Sequence, residues 1–188
     1  MTLANQLTVL RFVLALAMFM ALLRPEPGFH LLALFLFLAA VITDWIDGTI
    51  ARMTNSISPF GKVADPIADK ILVVGALIAL TRAKLGIPLW GIFLIIIREL
   101  LIGGLRMIES AHGKIPAAQP WGKWKMGLQS VSVLAMLAIL VARGYLSWTP
   151  PWAFQLPYYL TVLCVIVAWN SAYQYFKHSR KTLEKSWG

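Results

Sequence analysis

The chain has 188 residues, of which 59% are hydrophobic and 13% charged, and its mean hydropathy is +0.73. Soluble domains carry about 25% charged residues, so this composition excludes an ordinary soluble protein and indicates an integral membrane protein. The net charge of +9 does not indicate nucleic-acid binding, because no stripe interleaves basic with aromatic side chains. Basic residues between apolar segments more often set membrane topology and contact anionic lipid.

Six apolar segments have the length of a membrane span, which needs about 20 residues. They cover approximately residues 7–23, 30–50, 66–83, 86–107, 126–146 and 153–175. Each is expected to be a helix, because a backbone in lipid must satisfy its own hydrogen bonds. We therefore predict an all-α integral membrane bundle of six transmembrane helices, with residues 1–188 forming a single domain.

The first segment opens with a polar stripe. Asn5, Thr8 and Arg11 recur every three residues and so share one face of a helix. Two interpretations of Arg11 are open. In one, its long side chain extends to the membrane interface; in the other, the stripe faces acidic groups of the second and third spans.

Those acidic groups are concentrated at the junction of the second and third spans. All four aspartates of the chain lie within 26 residues, at positions Asp44, Asp47, Asp65 and Asp69. Each pair is spaced to share a helix face, and ionisable groups at membrane depth indicate function by default. Two such faces would gather carboxylate oxygens, the ligands that Mg²⁺ and Mn²⁺ prefer. A structural alternative is that Asp65 caps a helix beginning at Pro66, but capping explains one aspartate and not four.

The aspartates are part of a longer pattern, D-x2-D-G-x2-A-R-x8-G-x3-D-x3-D, which runs from Asp44 to Asp69. Its other fixed positions are Gly48, Ala51, Arg52 and Gly61. The pattern resembles, without exception, the signature of the CDP-alcohol phosphatidyltransferase family. The resemblance implies a membrane-embedded catalytic domain that displaces CMP from CDP-diacylglycerol with an alcohol.

The resemblance also implies roles for individual residues. Asp44, Asp47, Asp65 and Asp69 would bind two Mg²⁺ or Mn²⁺ ions, and Asp69 would be the catalytic base that takes the acceptor's proton. The predicted contacts of CDP-diacylglycerol are Asn5, Thr8, Gly48, Ala51, Arg52 and Ser58. Ser58 lies in a segment, 53–61, whose composition predicts a loop, where an ordinary turn serine is an equally good interpretation.

Charged residues also interrupt the fourth span and begin the fifth. Arg98 and Glu99 are adjacent, and because neighbours in a helix do not face each other, each is predicted to need a partner elsewhere. A salt bridge between helices is one interpretation, and binding of an anionic acceptor is the other. Arg98-Glu99 with Leu105-Arg106, followed by Gly122-Lys123-Trp124-Lys125, resembles the branch of the family whose acceptor is sn-glycerol 3-phosphate. The resemblance implies a set of ligands for the acceptor phosphate: Arg98, Arg106, Lys123 and Lys125.

Three alternatives remain open at this stage. The acceptor can be inositol phosphate or serine instead of glycerol 3-phosphate. A protein of a different class, a small transporter or proton relay, would also place aspartates inside a helix bundle.

In the sixth span, Cys164 is expected to be a buried structural thiol, whereas Trp169, Tyr173 and Tyr175 are expected to anchor the helix at the interface. Orientation follows from the basic residues. With the aspartate motif in the cytoplasm, eleven lysines and arginines lie on that side and four on the other, in agreement with the positive-inside rule. We predict that both termini face the cytoplasm of a bacterial inner membrane, and the family resemblance implies a homodimer.

Overall fold

The computed structural model describes residues 3–54, 59–111, 120–146 and 150–187, and the side chains of residues 5–46, 64–109, 122, 124–146 and 150–177. This part of the chain contains six α-helices and no strand, which confirms the all-α prediction. The helices are α1 (Leu3–Leu22), α2 (Pro27–Thr54), α3 (Pro59–Thr81), α4 (Leu89–Ala111), α5 (Pro120–Leu146) and α6 (Trp152–Trp187).

Four of these helices are long and apolar enough to cross a membrane. The apolar stretches are Asn5–Leu22, Pro27–Ile46, Trp124–Leu146 and Trp152–Lys177. Helices α3 and α4 are more often interrupted by charge, since α3 carries Asp65, Asp69 and Lys70, and α4 carries Arg98, Glu99 and Arg106. A membrane-spanning helical fold is therefore established, whereas the number of six spans stays a prediction.

The packing of the helices places two polar regions inside the bundle. Helix α1 packs against α2 and α3, helix α5 packs against α2, α3 and α6, and α4 packs against α6 and α3. Apolar side chains fill most of the interior, including Met18, Phe37, Leu80, Met136 and Leu137, which are fully buried. Many large apolar side chains point outwards instead, as expected of helices that contact lipid; examples are Leu16, Phe35, Phe93, Val131 and Ile166.

The start of α3 differs from the sequence prediction. The helix begins at Pro59, so Pro66 lies inside it and Asp65 does not cap its N-terminus. Proline fits the first turn of a helix because its missing N–H has no partner there, and Pro59 occupies that position. Most of the predicted loop 53–61 is therefore helical, and its centre, 55–58, lies outside the described residues. As a result, both aspartates of the second pair project from a regular helix.

Candidate active site

Arg11 connects the first three helices through the aspartates. Its side chain is 0% exposed, with Nη2 3.0 Å from Asp44 Oδ1 of α2 and Nη1 3.0 Å from Asp69 Oδ1 of α3. The guanidinium thus binds one carboxylate from each pair. The interpretation in which Arg11 extends to the membrane interface is wrong, and the polar stripe of α1 faces the aspartates.

The same stripe binds a third aspartate. Thr8 is buried one turn before Arg11, and its hydroxyl donates to Asp65 Oδ1 at 2.5 Å. Asn5 lies one further turn towards the N-terminus and is partly buried. Three helices therefore bring the side chains of Asp44, Asp65 and Asp69 to one region. This agrees with the four-residue spacing of Asp65 and Asp69 and with the three-residue spacing of the polar stripe on α1.

The described side chains of this region carry a surplus of negative charge. Among the described side chains that contact one another here, three carboxylates face one guanidinium, which leaves a net charge of −2. The carboxylates are also accessible on one side, since the side chains of Asp44 and Asp69 are 47% and 19% exposed. Carboxylate and hydroxyl oxygens suit Mg²⁺ or Mn²⁺, so the donor set and the charge fit a divalent cation.

The described side chains do not by themselves form a metal site. Within the ranges given above, no group of three or more His, Cys, Asp or Glu side chains is close enough to hold an ion. Asp47, Gly48, Ala51 and Arg52 belong to helical backbone of α2 whose side chains lie outside the described set. Ser58 lies outside the described residues. Metal binding and the nucleotide contacts of these residues stay predictions.

A second polar cluster lies between α4, α5 and α6, and Glu99 is at its centre. Glu99 Oε1 accepts hydrogen bonds from Arg98 Nη1, at 3.2 Å, and from Lys125 Nζ. The prediction that neighbouring Arg98 and Glu99 cannot pair is therefore wrong, whereas the prediction that each has a partner on another helix is confirmed, and Lys125–Glu99 is a salt bridge between helices. The spacing rule describes the directions of Cβ atoms, and the long arginine side chain reaches round the helix to its neighbour.

Arg98 is fixed at both sides of its guanidinium. Besides its bond to Glu99, it donates from Nε to the carbonyl oxygen of Ala168 and from Nη2 to Ser171 Oγ, both at 3.0 Å. These partners lie on α6, whereas Lys125 lies on α5. The structure thus brings two of the predicted acceptor ligands, Arg98 and Lys125, to the same carboxylate.

Lys70 connects α3 to the second polar cluster. It follows Asp69 directly in α3, and its Nζ donates to the carbonyl oxygen of Glu99 at 3.3 Å. From the sequence, Lys70 is only one of the basic residues counted on the cytoplasmic side, and Glu99 is expected to have a partner elsewhere but is not among the predicted site residues. A lysine immediately after a motif aspartate, and a glutamate inside an apolar run, were the signals that would have identified them.

The other two predicted acceptor ligands lie elsewhere or outside the described side chains. The guanidinium of Arg106, which is exposed, lies 5.6 Å from the centroid of the Tyr175 ring. Tyr175 is buried and its hydroxyl bonds to Glu109, so the prediction that Tyr175 anchors the helix at the interface is wrong. The side chain of Lys123 is not among those described.

Comparison with known proteins covers nearly the whole chain. The family model described as CDP-alcohol phosphatidyltransferase matches residues 1–174. The chain is 37% identical over 160 residues to the CDP-diacylglycerol–glycerol-3-phosphate 3-phosphatidyltransferase of Bacillus subtilis, covering 85% of this chain and 79% of that protein. It is 31% identical over 183 residues to the protein of the same name from Rickettsia bellii, covering 95% and 96%. The identity to the Mycoplasma pneumoniae protein of that name is 35% over 149 residues, which cover 72% of this chain and 62% of that protein.

Proposed function

Because the chain belongs to the CDP-alcohol phosphatidyltransferase family, we propose that it transfers a phosphatidyl group from CDP-diacylglycerol to sn-glycerol 3-phosphate. The reaction releases CMP and forms phosphatidylglycerol phosphate. The observation that carries this proposal is the pairing of Arg11 with Asp44 and Asp69 at 3.0 Å, which joins the two halves of the aspartate motif. The names of the similar bacterial proteins support glycerol 3-phosphate as the acceptor.

The proposed reaction is an in-line displacement at the phosphatidyl phosphorus. An acceptor hydroxyl oxygen forms a bond to that phosphorus, the bond to the CMP oxygen breaks, and the hydroxyl proton passes to the Asp69 carboxylate acting as general base. Arg11 holds the carboxylates of Asp69 and Asp44 in place. Thr8 does the same for Asp65. The chain's own contribution is therefore to orient the carboxylates before substrate arrives.

The candidate ligands of two Mg²⁺ or Mn²⁺ ions are Asp44, Asp47, Asp65 and Asp69. When bound, such cations neutralise charge on the diphosphate and on the departing CMP. The net charge of −2 among the described groups that meet here supports this assignment. The proposed contacts of CDP-diacylglycerol are Asn5, Thr8, Gly48, Ala51, Arg52 and Ser58, and those of the acceptor phosphate are Arg98, Arg106, Lys123 and Lys125.

The proposed setting is a bacterial inner membrane crossed six times, with a single catalytic domain whose active site and termini face the cytoplasm. The cytoplasmic side then has eleven basic residues and the opposite side has four, which supports this orientation. Residues that interrupt α3 and α4 with charge contact other helices, so their charges are compatible with a position inside a membrane bundle. A homodimer is proposed from the family resemblance alone.

The test is CMP release from CDP-diacylglycerol by the purified full chain in detergent. We expect release to require glycerol 3-phosphate and Mg²⁺, and inositol phosphate and serine to be poor acceptors. A transporter or proton relay would release no CMP, and that result would overturn the proposal.

A second measurement tests Asp69. Asp69→Asn is expected to lower kcat at least about a hundredfold, because general-base catalysis contributes roughly 10²- to 10⁴-fold. Glu26→Gln, which changes an exposed carboxylate before α2, is the matched control and should leave turnover unchanged. Near-normal turnover of the Asp69→Asn variant would refute the assigned base.

A further inference from the structure

We propose that Glu99 is a positioning residue of the acceptor site, whose carboxylate holds Lys125 and Arg98 where the two cations meet the acceptor phosphate. The inference rests on the proposed function and adds a residue to which the family resemblance gave no role. Its basis is a buried carboxylate that contacts Arg98 of its own helix and Lys125 of α5, while Lys70 of α3 donates to the backbone carbonyl of the same residue.

The geometry of the cluster leaves little freedom to its cations. Glu99, Arg98 and Lys125 are 7%, 5% and 4% exposed. One carboxylate oxygen, Oε1 of Glu99, binds both Arg98 and Lys125. Arg98 is held by α6 as well, but the described partner of the long and flexible Lys125 ammonium is Glu99. Glu99 therefore determines the position of Lys125.

The charge of the cluster distinguishes it from an ordinary structural pair. Among the described side chains of the cluster, Lys70, Arg98 and Lys125 contribute three positive charges, and Glu99 contributes one negative charge. In an ion pair that only joins helices, one cation balances one carboxylate, because surplus buried charge is costly. A net charge of +2 instead matches the charge of a phosphate monoester dianion, which Arg and Lys bind through charge-assisted hydrogen bonds.

The cluster is also connected to the proposed base. Lys70, whose Nζ donates to the Glu99 carbonyl, is the neighbour of Asp69 in α3. A phosphate bound by Lys125 and Arg98 is therefore held beside the helix that carries the proton acceptor. This arrangement suits an acceptor that has a phosphate at one end and a reacting hydroxyl at the other.

The test is a kinetic comparison of the wild type with Glu99→Gln and Glu99→Asp in the full chain, using CDP-diacylglycerol, glycerol 3-phosphate and Mg²⁺. An amide carries no negative charge, so in Glu99→Gln the two cations repel each other and separate. We expect the KM for glycerol 3-phosphate to rise about tenfold or more, in line with the loss of a charge-assisted hydrogen bond. The KM for CDP-diacylglycerol should change less than about twofold. Glu99→Asp keeps the charge but is shorter, and should raise the same KM by a smaller factor even if Glu99→Gln does not fold.

Ser132→Ala is the matched control for a purely structural effect. It removes another buried polar contact between α5 and α6, the hydrogen bond from Cys164 Sγ to Ser132 Oγ at 3.3 Å. We expect it to lower the melting temperature while leaving both KM values unchanged. The inference is overturned if the Glu99 variants show an unchanged or lower KM for glycerol 3-phosphate, or if both KM values rise together. A wild type that releases no CMP with glycerol 3-phosphate overturns the proposed function and this inference with it.

Discussion

Arg11 illustrates why the identity of one side chain is decisive at the residue scale. A guanidinium is a planar fork with several nitrogens, so it can bind two carboxylates on different helices at the same time. Arg11 does so, with Nη1 on Asp69 and Nη2 on Asp44. A lysine has the same charge but a single terminal nitrogen, and it cannot reproduce both contacts with the same geometry.

We therefore expect Arg11→Lys to lower kcat/KM by about ten- to a hundredfold, which corresponds to the loss of one charge-assisted hydrogen bond of about 1.5–3 kcal/mol. The measurement is CMP release at saturating glycerol 3-phosphate. Arg24→Lys makes the same change at an exposed position after α1 and should have no effect. Wild-type activity of Arg11→Lys would show that the positive charge alone is sufficient.

Sequence spacing was a good guide to which polar side chains share one face of a helix. The three-residue recurrence of Thr8 and Arg11 correctly placed both side chains on one face of α1, and left two interpretations of where Arg11 points, of which contact with the aspartates is the one observed. It failed for Arg98 and Glu99, because spacing gives the direction in which a side chain leaves the helix and not how far it bends. Tyr175 was misplaced for a related reason: a tyrosine near the end of a span fits the interface, and its buried acceptor, Glu109, is distant in sequence.

Helices α4 and α6 pack closely along one stripe of α4. Gly91, Ile95, Arg98 and Ile102 follow at intervals of four, three and four residues and so lie on the same face. Their neighbours on α6 include Thr161, Ala168 and Ala172. Small residues let helix backbones approach in a membrane protein, and this approach allows Arg98 to reach the carbonyl oxygen of Ala168.

Gly91→Ala is expected to destabilise this contact. A Cβ atom at Gly91 would lie 2.7 Å from Thr161 Cγ2, and Thr161 cannot easily turn away because it is buried and its hydroxyl donates to the Pro157 carbonyl at 2.8 Å. Overpacking costs about 1–3 kcal/mol, which exceeds the helix-propensity gain of about 1 kcal/mol for replacing glycine by alanine. The thermal unfolding midpoint in detergent should therefore fall.

Two variants make this prediction specific to the contact. Gly104→Ala lies on the same helix, where a Cβ atom meets nothing within 4 Å, so its midpoint should be unchanged or raised. Thr161→Ser removes the obstructing methyl group but keeps the hydroxyl, so the double variant Gly91→Ala/Thr161→Ser should recover most of the loss. Equal midpoints for the Gly91→Ala and Gly104→Ala variants would mean that α4 and α6 do not approach as closely as described.

The number and order of the helices could be predicted from apolar length, because a span has a physical minimum length. The start of α3 could not. Pro59 and Pro66 both fit the first turn of a helix, and the motif supplies no apolar periodicity between them that would distinguish the two. The packing of α4 on α6 was equally inaccessible, since it depends on which helix faces meet and not on the sequence of either one.

At the scale of the whole molecule, the question is how many times the chain crosses the membrane. Helices α3 and α4 decide it, because the other four helices are by length and composition able to cross a membrane. If α3 and α4 both cross, the turn between them faces the side opposite to the aspartate motif. If neither crosses, that turn lies on the same side as the motif and the C-terminal part of α6.

Cysteine labelling separates the two topologies. The chain has one cysteine, Cys164, which is buried and should not react, so an introduced cysteine reports its own side. We expect Arg82→Cys, in the turn after α3, to react with a membrane-impermeant maleimide in intact bacterial cells. Arg24→Cys should react in the same way, whereas Lys177→Cys should react only after the membrane is permeabilised. Both residues are exposed and each lies on the same side of the membrane in either topology, so they serve as controls. If Arg82→Cys instead reacts only after the membrane is permeabilised, as Lys177→Cys does, the chain has four spans. Asp65 and Asp69 would then belong to a helix that lies at the cytoplasmic surface.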